Sequence, residues 1–139
     1  MITQLLKPGF RASILALAIA LVSCENSVPP HSPEVKALHQ ERIKTLRLLV
    51  EIIEAQFNDG EAATTNVLQA QRNLLTAQLE ATTGIAERIA LREEVLENLR
   101  QFEQIVNTQV DSGAAPMSNL LEIRAARIKA EIELAEEKE

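Results

Sequence analysis

Apolar residues recur every three or four positions through the body of the chain, the spacing of helices that bury one face. The first run is His39, Ile43, Leu46, Val50, Ile53 and Phe57, widened by Leu49 and Ile52. A helix so broadly apolar is expected to be buried on two sides, as in a bundle. Further stripes are Val67, Ala70, Leu74 and Ala77, then Ile85, Ile89, Leu96, Leu99, Val106 and Val110, and finally Met117, Leu121, Ile128 and Ile132. No stretch alternates with a period of two, so no strand is expected in this body.

The breaks in the pattern carry the turn residues. Asn58-Asp59-Gly60, Thr82-Thr83-Gly84 and Asp111-Ser112-Gly113, with Pro116 just beyond, each interrupt the helical period. Glycine tolerates the left-handed conformation that closes a helix, and proline suits the first turn of the next. Ser32 followed by Pro33 is a capped start. Four helices are predicted over about 33 to 58, 63 to 82, 85 to 111 and 116 to 138, each about 30 to 40 Å long. The last turn, Ala135 to Glu139, puts carboxylates at the negative end of a helix dipole and is expected to fray.

Two of these helical hairpins are copies. Residues 42 to 80 align on 95 to 133 without a gap at a constant offset of 53, with 10 identities in 39 positions. Leu46 meets Leu99, Gly60 meets Gly113, Asn66 meets Asn119, Leu68 meets Leu121, Ala77 meets Ala130 and Glu80 meets Glu133. Duplicated helix-turn-helix units of this kind bury their apolar faces on one another. The expected fold is therefore all-α, an antiparallel helical bundle or coiled-coil hairpins built from two repeats.

Composition changes the picture at the N-terminus. Lys7 and Arg11 precede a nine-residue apolar run, Ile14 to Val22, whose helical rise of about 14 Å falls far short of the roughly 20 residues that span a bilayer. The segment reads as a signal peptide over residues 1 to 23. Without it the chain has 14 − 2 = 12 Lys and Arg against 20 Asp and Glu, a charge of −8. Nucleic acid is an unsuitable partner for such a body, and an anionic membrane surface offers it no attraction. Residues 24 to 33 contain three prolines and read as an extended tether, its last nine residues reaching roughly 28 Å. The helical domain follows over 34 to 139.

Leu21-Val22-Ser23-Cys24 resembles the lipobox of bacterial lipoproteins, and Cys24 is the only cysteine. The resemblance implies that Cys24 is lipidated and that acyl chains tether the protein to the cell envelope, facing the periplasm. An ordinary secretory signal that happens to end near a cysteine is the alternative. The outer membrane is the first expectation for the anchor, and acidic Glu25 leaves inner-membrane retention open.

The repeated stretch resembles the signature of the outer-membrane efflux (TolC-like) channel family. Its first copy has Phe57, Gly60, Asn66, Val67, Leu68, Ala70, Leu74 and Ala77 at the family's spacings. The second keeps Val110, Gly113, Asn119, Leu120, Leu121 and Ala130, with Ile123 and Arg127 where the first has Ala70 and Leu74. The strands of a membrane barrel are missing, so the resemblance extends only to the helical repeat and implies transmembrane transport only through a larger assembly.

No nucleophile stands beside a base, no phosphate loop is present, and His31 and His39 lack a third ligand at metal spacing. No cofactor, metal or small-molecule substrate is expected, and the chain does not read as an enzyme. Arg47/Glu51, Arg127/Glu131 and Lys129/Glu133 read as solvated helix pairs. Three readings stay open: a lipid-anchored protein docking helix to helix with an envelope partner or itself, a direct component of an efflux assembly, and a purely structural coiled coil. The aliphatic, alanine-rich core suggests that docking completes it, with the contact surface expected along Ala63, Ala70 and Ala77 of the second helix and Ala125, Ala126 and Ala130 of the fourth.

Overall fold

A computed structural model describes residues 31 to 139. The signal segment, Cys24 and most of the tether lie outside the described residues. Four α-helices make up the rest: α1 (Pro33–Asn58), α2 (Thr64–Ala81), α3 (Ile85–Asp111) and α4 (Met117–Glu137), with no strand among the described residues. The fold is all-α, as the apolar period requires. Ser32 caps α1, its hydroxyl accepting from Val35 N–H at 3.3 Å, and Pro33 occupies the first turn.

The helices form an open layer in chain order. α1 packs on α2, α2 on α3 and α3 on α4, and no other pair of helices is in contact. α1 is thus an edge helix with one neighbour, and the expectation that it is buried on two sides is corrected. α2 and α3 are the interior helices. Within the first hairpin Ile43, Val50, Ala70 and Ala77 are buried, and in the second Leu96, Leu99, Val106, Leu120, Ile123 and Ala130 form the core, flanked by Val95, Phe102, Val110 and Leu134.

The two repeats share their turns atom for atom. Asp59 N–H donates to Ala55 O, Gly60 to Phe57 O, Glu61 and Ala62 both to Gln56 O, and Asn66 to Ala63 O. The same five bonds recur 53 residues later, from Ser112 to Thr108, Gly113 to Val110, Ala114 and Ala115 to Gln109, and Asn119 to Pro116, within 0.2 Å of the first set. Gly60 (φ 79°) and Gly113 (φ 75°) are both left-handed, the conformation that lets the chain fold back and satisfy the last carbonyls of a helix.

The turn between the repeats works differently. Gly84 has φ −76° and sits at the N-cap of α3, so its expected left-handed role at the end of α2 is not found. Thr82 is extended instead. The open carbonyls there are served by Arg88, whose Nη1 donates to Leu79 O and Thr82 O, each at 3.3 Å. A side chain from the next helix replaces the glycine device.

Candidate functional site

Each sequence-predicted stripe has a definite position in this layer, and one of them, that of α4, points outward. On α4 the buried residues are Leu120, Ile123 and Ala130, whereas Met117, Leu121, Ile128 and Ile132, expected to be core, are exposed. Leu121 is 55% exposed although its repeat counterpart Leu68 is 6% exposed. Leu68 lies on an interior helix and Leu121 on an edge. On α1, Val35, Leu38, Leu48, Leu49 and Ile52 are likewise exposed, and so is Phe57. Ten of the eleven large apolar residues exposed in the described chain thus lie on the edge helices; the other is Ile85 of α3. A helix face this rich in exposed apolar side chains is unusual for a surface left to water.

Half of the alanine surface expected to dock partners is used inside the layer. Ala70 and Ala130 are buried, and Ala77 is 0% exposed. Only Ala63, Ala125 and Ala126 are open to solvent. Small residues let α1 and α2, and α3 and α4, approach closely within each hairpin, so half of the expected contact surface is enclosed within the chain itself. Of the other motif positions, Asn66 and Asn119 are exposed just inside their turns.

Charged groups fasten the far end of the layer. Glu137 accepts from Arg88 Nε at 2.6 Å and Nη2 at 3.0 Å and from Arg92 Nε at 2.6 Å, while Arg92 Nη1 reaches Glu133 at 2.8 Å. Hydrogen bonding from Arg88, helped by Arg92, holds the Glu137 carboxyl well below its ordinary range, at about 2. Lys138 pairs with Glu93 at 2.8 Å. The last turn expected to fray is therefore clamped to α3. The sequence carries a sign of this, since Arg88/Arg92 and Glu133/Glu137 have matched four-residue spacing.

A second cluster explains a departure between the repeats. Glu103 of α3 accepts from Arg124 Nε at 2.8 Å and from Arg127 Nε, and these bonds, that from Arg124 foremost, lower its pKa. At the equivalent positions of the first hairpin stand Val50 and Leu74. Apolar residues on both helices of the first hairpin thus correspond to charged ones in the second. Arg127 also meets Glu131 at 2.8 Å and Lys129 meets Glu133 at 3.6 Å, as expected, but Arg47 and Glu51 form no ion pair.

At the α2–α3 junction Asn98, buried, donates from Nδ2 to Leu68 O at 3.0 Å, and its Oδ1 has no partner. Nearby the Arg72 guanidinium lies 5.2 Å from the centre of the Phe102 ring, and burial lowers its pKa. The rings of His31 and His39 lie 4.8 Å apart, with His31 Nε2 within 3.0 Å of Glu80 O. No group of three potential metal ligands occurs among the described residues. No described helix is long and apolar enough to cross a membrane.

Comparison with protein families, curated proteins and solved structures finds no match to this chain.

Proposed function

We propose that this chain is a lipid-anchored protein of the bacterial cell envelope that acts by helix-to-helix docking through its two edge helices, within an envelope or efflux-related assembly. The observation that carries the reading is the pair of apolar faces on α1 and α4, each left without a neighbour. Fully burying one exposed aliphatic side chain contributes about 1.5 to 3 kcal/mol; Leu121, Ile128 and Ile132 are each about half exposed, so covering all three gives α4 roughly half of that per residue toward acquiring a partner. Lys7, Arg11, the short apolar run and Leu21-Val22-Ser23-Cys24 support export and lipidation at Cys24. The repeated turn supports kinship with the helical portion of efflux channels, with any pore supplied by other chains.

Photocrosslinking tests the docking. A photoreactive amino acid replaces Leu49, Leu121 or, as an exposed interior control, Gln104 in the full chain expressed in a bacterial envelope. Adducts from both edge positions and none from Gln104 are expected; an absence of adducts from Leu49 and Leu121 would refute the reading. Fatty-acid labelling tests the anchor, since incorporated label should disappear with Cys24→Ser.

A further inference from the structure

From the structure we infer that the partner of each edge is a second copy of this chain, docked head to tail so that α4 of one copy packs on α1 of the next as α2 packs on α3 within a copy. The inference rests on the reading that the edges are docking faces. It follows from the repeat: α2 and α4 are equivalent helices, as are α1 and α3, so the junction between repeats already displays how the second helix of one unit receives the first helix of another.

Three contacts at the α2–α3 junction can be carried across the offset of 53. The Asn98–Leu68 pair maps to Thr45 and Leu121, the Arg72–Phe102 pair to Ala125 and Leu49, and the Arg88–Leu79 pair to Val35 and Ile132. All six mapped residues are exposed. Their chemistry runs opposite to that of a solvated surface. Where the enclosed junction uses Asn98, Arg72 and Arg88, the open edges carry Thr45, Ala125 and Val35. At these contacts a face meant for water would gain charge relative to its buried counterpart, yet Arg72 and Arg88 map to Ala125 and Val35. Elsewhere on the edges charge is gained, with Arg42 standing for Val95 and Lys129 for Thr76.

Shape agrees with this mapping. In the second hairpin, Val95, Leu99, Ala126 and Lys129 line a groove shared with Thr76 and Leu79 of the neighbouring α2. The equivalent groove of the first hairpin, lined by Arg42, Leu46, Asn73 and Thr76, is open, with a volume of about 530 Å³. The residues equivalent to Thr76 and Leu79 are Lys129 and Ile132, so the second copy brings an aliphatic side chain to that groove, with Lys129 beside a wall that carries both Arg42 and Glu41. Because the two faces differ, the contact is heterologous, and each copy leaves one edge free for another.

The test is thiol crosslinking of the full chain in membranes. Thr45→Cys is combined with Leu121→Cys, and in a second version Val35→Cys with Ile132→Cys, and each is treated with a short bis-maleimide. Since α1 and α4 do not touch within one copy, adjacent thiols in these pairs belong to different molecules. Both double variants should give a ladder at multiples of the 15.3 kDa chain, less the signal segment, with three or more rungs, and the single variants should give none. Dimers from a single variant would overturn the head-to-tail arrangement in favour of a two-fold contact. No ladder, with photocrosslinks from Leu121 retained, would assign the edge to a different protein and overturn the second copy alone. Loss of both signals would overturn the docking reading with it.

Discussion

Replacing Gly60 and Gly113 by alanine probes the repeat at the level of backbone geometry. Both residues have positive φ, 79° and 75°, and a Cβ built on either meets no atom within 4 Å. Steric collision with neighbours therefore contributes nothing, and the whole cost is that of holding an L-residue in the left-handed region, about 1 to 2 kcal/mol. Alanine also restricts the unfolded chain relative to glycine, which returns a few tenths to about 1 kcal/mol. The net expectation is about 1 kcal/mol for each variant. For a domain of this size that corresponds to a fall in Tm of about 4 to 8 °C. The two turns share no hydrogen-bond partner, so the losses should add in the double variant to within about 0.5 kcal/mol. Gly84→Ser is the internal control: at φ −76° serine is unstrained and supplies an N-cap oxygen, so stability should hold or rise. Urea denaturation followed by circular dichroism at one fixed protein concentration measures all four. Equal losses at Gly60 and Gly113 with none at Gly84 are expected. A loss at only one of the two, or one at Gly84 as large, would refute the equivalence of the turns.

Ala77→Leu should destabilise by about 1 to 3 kcal/mol through overpacking, because Ala77 is wholly enclosed, whereas Ala125→Leu on the open edge should change chemical stability of the monomer by less than about 0.5 kcal/mol; paired denaturation curves decide. Glu103→Val with Arg127→Leu recreates the Val50–Leu74 pairing of the first hairpin, so the double variant should melt above both single variants, each of which leaves a mismatched partner. Glu137 titrates in the folded state at about 2, against an ordinary 4.5. Its folded pKa is depressed, so its contribution is present above about 4.5 and is lost as pH falls toward about 2. Glu137→Gln should therefore be less stable than the parent at neutral pH, with the gap closing across that window in acid denaturation curves.

How much of the fold is legible in the amino-acid order depends on whether a feature is local. The Ser32-Pro33 start, the helix spans and the left-handed glycines at 60 and 113 follow from residues adjacent in the chain, and the gapless offset of 53 by itself marks the two turns as equivalent. Gly84 misleads because the same polar-polar-glycine wording can close a helix or open one. What decides its role is Arg88, four residues on, whose guanidinium supplies the donors to the end of α2. The clamp on Glu137 lies beyond local reading for the same reason: its acceptor and donors are 45 and 49 residues apart.

The faces of the helices are harder to read, and the reason is topological. A helix with two neighbours needs two apolar stripes, so α2 uses Leu68 toward α3 while Ala70 and Ala77 are buried as well. α4 inherits the same two stripes by duplication but has one neighbour. From the sequence, Met117, Leu121, Ile128 and Ile132 form the better helical stripe and read as core; in the fold the core stripe is Leu120, Ile123 and Ala130. Sequence periodicity reports that a face is apolar and is silent on which molecule covers it. Were the edge a solvated surface, Leu121 and Ile132 could be polar at no cost to the hairpin. The outward stripe is instead aliphatic along about four turns of α4, and α1 exposes Val35, Leu38, Leu48, Leu49 and Ile52 around Glu41 and Thr45. Two unmatched faces of one duplicated unit, each the counterpart of a surface already buried at its own centre, are what a chain that continues its layer from copy to copy would present.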